Sequence, residues 1–240
     1  FDVKFASYNG DLEYVWATSW GVSTRLIGAL IMTHSDDKGL VLPPKLAPYQ
    51  VVIVPIYKGE EQRNEVSKVA EKIKYELINN NIRVKFDNRD NFKPGFKFNE
   101  HELKGVPLRI AIGPKDIEKG NVEVARRYDF SKSIVSQDKL LEYLENQLNE
   151  IQKNLFDKAK KHQEENITRV ENFNDFKDIL NKKGGFILAH WDGTEETENA
   201  IKKETKATIR CIPLNSEEES GNCVYSGKPS KKRVFFAKAY

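Results

Sequence analysis

The run Val51-Val52-Ile53-Val54-Pro55-Ile56 limits the fold of this chain more than any other feature. A short apolar run without polar alternation reads as a strand buried on both faces, as in a sheet covered by helices. The surrounding pattern supplies those helices. Residues 60–80 form an amphipathic stretch with Val66, Val69, Ala70, Ile73, Leu77 and Ile78 on one face, stopped by Asn79-Asn80-Asn81. Strands are expected at 82–86, 108–112 and 122–126, with a short helix after the first of these and a Gly113-Pro114 turn between the last two. A long helix over about 136–163 aligns Leu140, Leu141, Leu144, Leu148, Ile151 and Leu155. Strand, helix, strand, short helix, strand, strand, helix is an α/β sheet domain.

The flanks have their own patterns. Before residue 48 a strand is expected at 13–18 and a helix at 22–32, with apolar spacing at Val22, Leu26, Ala29 and Leu30. A strand-like Leu40-Val41-Leu42 is ended by Pro43-Pro44. From about Thr168 a helix carries Phe173, Phe176, Ile179 and Leu180 and stops at Gly184-Gly185. A strand at 186–189, a charged helix at 195–207 and a closing strand at 233–237 complete a small α/β unit. The fold class is therefore α/β, in three zones: a strand–helix segment at 1–48, a sheet domain at 49–150, and a connecting helix with a small α/β domain at 151–240.

Charge narrows the partners. With 39 basic and 36 acidic residues the net charge is only +3, which excludes a histone-like polycation but not an RNA binder with local basic patches. No apolar window reaches membrane-spanning length, and no signal peptide opens the chain. Two cysteines, Cys211 and Cys223, are too few for a disulfide framework, so a reducing, cytoplasmic compartment is expected. Opening on Phe1 rather than Met, the sequence reads as a fragment or a processed product.

Two stretches could carry chemistry. In Thr18-Ser19-Trp20-Gly21-Val22-Ser23-Thr24-Arg25, small residues, hydroxyls and one guanidinium gather at a strand-to-helix turn. That suits a nucleotide site, and equally an ordinary capped helix with a surface arginine. The second set runs through Asp87-Asn88-Arg89-Asp90, Pro94-Gly95-Phe96-Lys97-Phe98, residues 102–109 and Gly113-Pro114-Lys115-Asp116. Aromatic rings can stack unpaired bases, while carboxylates and guanidinium groups bond their edges. A charge-rich solvated loop set reads the same way.

Together these stretches resemble prolyl-tRNA synthetases of class II, archaeal and eukaryotic type. Ser19-Trp20-Gly21, Thr24-Arg25, Ile27-Gly28 and the exit through Leu42-Pro43-Pro44 are similar to that family's motif 3. The resemblance implies that Arg25 clamps ATP as the catalytic residue, Ser23 contacts the nucleotide, and Trp20 and Gly21 line the prolyl-adenylate pocket. Ser35 stands where the family usually has glycine. The string from Arg89 through Pro94-Gly95, Lys97-Phe98-Asn99, Glu102-Leu103-Lys104-Gly105-Val106-Pro107 to Arg109 is similar to the family's anticodon-binding domain, which reads two anticodon guanines. By that resemblance Phe98, Glu102, Arg109, Lys115 and Asp116 read the anticodon. Arg89 and Lys104 fit a salt-bridged structural role as well as an RNA role.

The resemblance implies a proline–tRNA ligase using ATP with Mg2+, and partners tRNA(Pro) and proline. It implies that residues 1–48 are an α+β catalytic-domain remnant and that the sheet at 49–150 is mixed. It also implies a homodimer through an N-terminal half carrying motifs 1 and 2, without which the chain is expected not to activate proline. The alternative is a non-catalytic tRNA-binding accessory module, against which the Ser-Thr-Arg of motif 3 argues. Relatives often hold zinc with two close cysteine pairs in the last domain. Here His190 to Thr197 has no cysteine and Cys223 has lost its pair, so no structural zinc is expected. The family's terminal tyrosine points back to the catalytic domain, a role that Tyr240 shares with the alternative of a frayed end.

Overall fold

The computed structural model describes residues 2–214 and 218–239. It forms two compact units, with the boundary between Gln152 and Lys153.

The first unit opens on a hairpin of β1 (Lys4–Ala6) and β2 (Leu12–Tyr14), followed by helix α1 (Arg25–His34). The strand expected over 13–18 is therefore only the end of β2. Its partner begins at Lys4, and beyond Tyr14 one further bond runs from the Val15 N–H to Val3 O at 3.1 Å. The helix expected from 22 starts at Arg25, after turn bonds from Leu26 to Ser23 and from Ile27 to Thr24. No residue of α1 is buried.

Residues 40–42 are not a strand. The Leu40 N–H bonds the carbonyl of Leu103 at 3.0 Å, Val41 is buried, and the two prolines that follow have no N–H to offer a ladder. The close approach here depends on two glycines. A Cβ on Gly39 (φ +125°) would lie 2.6 Å from Leu103 O, and one on Gly105 (φ +72°) 2.7 Å from Leu40 Cβ.

A five-stranded mixed sheet follows: β3 (Val51–Pro55), α2 (Gly59–Asn79), β4 (Val84–Phe86), α3 (Pro94–Leu103), β5 (Leu108–Ile112), α4 (Pro114–Glu118), β6 (Asn121–Arg126), β7 (Lys132–Ser136) and α5 (Leu140–Glu165). The strand order is β4-β3-β5-β6-β7, with β3 parallel to β4 and β5 and the last two strands antiparallel. β3 is thus an inner strand, and Val51, Val52, Ile53 and Val54 have no exposure at all. Val52 and Val54 pack on Val106 and Phe98, and alternation turns Val51 and Ile53 to the opposite face. In α2, Val66, Ala70, Ile73 and Leu77 form the buried stripe, whereas Ile78 stays exposed.

Within this sheet domain two elements depart from expectation. The Gly113-Pro114 turn opens the short helix α4, because proline is preset at N1 and the Asp116 carboxylate accepts from the Gly113 N–H at 2.8 Å. Strand β7 was not expected from Lys-Ser-Ile-Val-Ser, an edge strand that exposes Ile134.

The second unit holds β8 (Ile167–Arg169), α6 (Phe173–Lys182), β9 (Phe186–His190), α7 (Glu195–Thr205), β10 (Ala207–Cys211), a small hairpin of β11 (Gly221–Asn222) and β12 (Pro229–Ser230), and β13 (Arg233–Lys238). Of these, β8, β10, β11 and β12 were not expected either. Its four-stranded sheet runs β10-β13-β9-β8, with only β8 and β9 parallel. Phe176 and Phe236 meet edge to face at 5.2 Å within a core that includes Ile187, Ile201 and Val234. Both helices are capped, α6 by Asn172 and α7 by Thr194. Among the described residues no helix is long and apolar enough to cross a membrane.

Candidate nucleic-acid interface

The interface is built around a residue that ends a strand. Asp87 follows β4 and is buried, with 1% exposure. Its carboxylate accepts from Arg89 Nε (2.8 Å) and Nη2 (2.7 Å), and lies 2.8 Å from His101 Nε2. Its backbone carbonyl accepts from the buried Lys97 ammonium at 3.1 Å. Burial raises the Asp87 pKa, but the bonds from Arg89 and His101 outweigh it and hold the carboxyl well below the usual range. Burial pushes the His101 imidazole down. An ionised carboxylate only accepts, so His101 presents Nε2–H to it. Arg89 continues to Glu100 at 2.6 Å, and Glu100 takes Lys104 at 2.5 Å; Lys104 and then Arg89 hold the Glu100 pKa down to about 2. Arg89 and Lys104 thus stand in ion pairs, and the network ties α3 to the loop after β4.

That anchoring fixes the half-buried side of α3 that faces β3 and β5. Phe98 and Glu102 are one turn apart on it, and Arg109 rises from β5 to meet both. The Phe98 ring centroid is 3.6 Å from the Arg109 guanidinium carbon. Arg109 is only 5% exposed, and burial pushes its pKa down against the pull of Glu123 and Glu102. Its Nη1 is 3.5 Å from Glu123 and its Nη2 3.9 Å from Glu102, both longer than a charge-assisted hydrogen bond. Its buried Nε has no partner among the described residues. The guanidinium is therefore held in place by a ring and two partly exposed carboxylates while its donors stay under-used. Such a set can donate to guanine O6 and N7 and accept from its N1–H and N2–H.

Glu123 was not among the sequence candidates. It lies opposite Ala111, two positions along β6 from the residue paired with Arg109, which puts both side chains on one face. The alternation Val122-Glu123-Val124 was its only signal in the sequence. Lys115 and Asp116 sit apart from the Phe98 contacts, in α4 beyond the C-terminal end of β5. Lys115 is exposed, and one Asp116 oxygen is committed to the Gly113 N–H.

A second clasp holds Glu102 from behind. Arg127 gives Nη1 and Nη2 to the Asp36 carboxylate at 2.9 and 2.6 Å, and Nε to the Glu102 carbonyl at 2.8 Å. The Arg127 bonds hold Asp36 down to about 2. The segment after α1 is thereby tied to the backbone of a candidate reader.

The N-terminal candidates are less confined. Trp20 is 94% exposed, and Gly21, Ser23 and Arg25 are exposed as well. Ser23 Oγ accepts weakly from the Arg25 N–H at 3.4 Å. Among the described residues no acidic group pairs with the Arg25 guanidinium. In the second unit, Asp192 accepts from Thr194, Thr197 and Ser226, which outweigh its burial and hold its pKa down to about 2. Among the described residues no three His, Cys, Asp or Glu side chains gather as a metal group. Tyr240 lies outside the described residues.

Residues 50–147, which take in all five strands of the mixed sheet, match the family described as anticodon binding domain. Residues 173–240 match the family described as prolyl-tRNA synthetase, C-terminal. Over all 240 residues the chain is 62% identical to a proline–tRNA ligase of Christiangramia forsetii, covering 49% of that protein. It is 60% identical to one of Flavobacterium johnsoniae (49% covered) and 56% to one of Porphyromonas gingivalis (48% covered). The chain thus spans about half the length of the curated relatives it matches.

Proposed function

We propose that this chain is the C-terminal part of a proline–tRNA ligase of the archaeal and eukaryotic type, joining proline to tRNA(Pro) through prolyl adenylate with ATP and Mg2+. The observation that carries the reading is the Phe98–Arg109–Glu102 contact inside a segment that matches an anticodon binding domain. In that reading Phe98 stacks on a base, Arg109 donates to a guanine edge, and Glu102 accepts from it. Lys115 and Asp116 contribute from the C-terminal end of the same strand. Replacing Glu102 with alanine is expected to weaken proline tRNA binding by about 1–3 kcal/mol. Unchanged affinity in filter binding at fixed salt would count against the role.

Residues 1–48 then form the end of a class II catalytic domain, 49–150 the anticodon reader, and 151–240 the connecting helix and C-terminal domain. The exposure of Trp16, Trp20, Leu26, Ile31 and Met32 supports a segment that packs into a larger body. Attack of the proline carboxylate on the α-phosphate is an in-line displacement, where protein groups position reactants and neutralise charge. Arg25 supplies that charge, with Ser23, Gly21 and Trp20 beside the nucleotide. Magnesium accompanies ATP, and its ligands are assigned to the remainder of the whole protein, as is the homodimer interface. The setting is the cytoplasm. In the whole protein, Arg25→Ala is expected to impair proline-dependent ATP–pyrophosphate exchange while leaving tRNA affinity near normal; equal loss of both would contradict the division of roles.

A further inference from the structure

A cleft of about 380 Å³ opens at the C-terminal ends of β3 and β4, lined by Pro55, Tyr57, Asn91, Phe92, Lys93 and Lys97 among others. We propose that it is a second nucleotide subsite, taking one unpaired ribonucleotide next to the bases met by Phe98, Glu102 and Arg109. The inference rests on the anticodon-reading proposal and extends it to a site that none of those three residues lines.

Three observations carry it. The first is a pre-ordered aromatic wall. Phe92 stacks on Phe96 at 4.6 Å and 13°, and the Arg89 guanidinium sits 4.9 Å from the Phe92 centroid. Arg89 is itself fixed by Asp87 and Glu100, so the ring is held without a ligand and loses little freedom on stacking a base. Tyr57 supplies a second, half-buried ring.

The second is charge. Lys97 is 2% exposed and spends one of its three donors on the Asp87 carbonyl, while the Asp87 carboxylate is taken up by Arg89 and His101. Lys93 is exposed at the rim. The acidic residue of the lining, Asp90, is paired with Arg63 at 3.1 Å. A flat aromatic wall beside cationic groups whose neighbouring carboxylates are engaged fits a base with its phosphate.

The third is position. The cleft lies beyond the C-terminal ends of two parallel strands, the side of an open α/β sheet on which ligands bind. Lys97 lines the cleft and the next residue, Phe98, belongs to the Arg109 cluster, so α3 borders both. Its volume suits a single nucleotide.

The test uses the full chain and the anticodon stem–loop RNA of a proline tRNA, alongside stem–loops with an abasic site at each position flanking the anticodon. Phe92→Leu keeps an apolar contact for Phe96 and is expected to weaken binding about tenfold, the loss of one stacked base. One abasic RNA is expected to bind wild type about tenfold more weakly and to lose little more with the variant, since both changes remove one contact. Lys93→Gln is expected to lower the slope of log affinity against log salt by about 0.7. Full affinity for Phe92→Leu, or losses that simply add for every abasic position, would overturn the subsite. If adenosine monophosphate alone binds and Phe92→Leu abolishes only that binding, the cleft takes a free nucleotide and the proposal fails. Glu102→Ala measured in parallel separates the two claims: its loss without a Phe92 effect removes the subsite alone, and no loss in either removes the anticodon reading.

Discussion

Replacing Asp87 with alanine is expected to lower the unfolding free energy of the first unit by about 3 kcal/mol, the low end of the cost of breaking a buried ion pair, because Arg89 is 35% exposed and keeps Glu100. Without the carboxylate, Arg89 loses two hydrogen bonds and the buried His101 loses its acceptor. Lys97 also remains buried beside them with only a carbonyl for company. A marginally stable domain has little more than that in reserve. The expected result in urea denaturation is a midpoint shifted far down, or a chain already partly unfolded in buffer. Asp87→Asn keeps one acceptor and should fall between the two. A loss below about 1 kcal/mol for the alanine variant would show that α3 is held by other means.

The second large effect is expected at Arg127. Its guanidinium side chain is 1% exposed and joins Asp36 to the Glu102 carbonyl. Asp36 is 41% exposed, so solvent screens the pair and the full buried-pair figure does not apply. Arg127→Met should therefore cost about 2 kcal/mol at neutral pH, for the lost charged hydrogen bonds and the orphaned carbonyl. The pH dependence has a definite sign. The folded pKa of Asp36, about 2, lies below its ordinary 3.8, so its contribution is present above about pH 4 and fades as pH falls towards 2. The gap between wild type and variant should narrow over that window in thermal melts, down to the part owed to the Glu102 carbonyl, which does not titrate. A gap that stays constant down to pH 2 would assign the stability to packing of the Arg127 stem instead.

The fold was legible where periodicity and burial agreed. Val51 to Val54 and the stripe Val66, Ala70, Ile73, Leu77 announced a covered strand and its helix, and both are present. Strand β7 was not legible, because an exposed edge strand has neither alternation nor a continuous apolar run. Residues 40–42 had strand composition, yet the bond to Leu103 O and the two prolines decided their path, and a tertiary contact leaves no local mark. The helix α4 hid behind Gly-Pro, which signals a turn until Asp116 caps it.

At the candidate site, Phe98, Glu102 and Arg109 were chosen from one string, and they do touch. Glu123 and Arg127 were missed, for they reach the cluster across strands from a segment with no motif of its own. Asp87 looked like one more loop charge, and only its burial shows that it organises the others.

The central claim is that the Phe98–Arg109–Glu102 cluster reads guanine. Its most direct measurement is the affinity of the full chain for the proline anticodon stem–loop, with each anticodon guanine changed to adenine, in wild type and in Glu102→Ala. Wild type should lose about 1–3 kcal/mol for a guanine that the cluster reads, and Glu102→Ala should bind the two RNAs nearly alike at that position. Equal binding of guanine and adenine by wild type, or undiminished discrimination by Glu102→Ala, would contradict it.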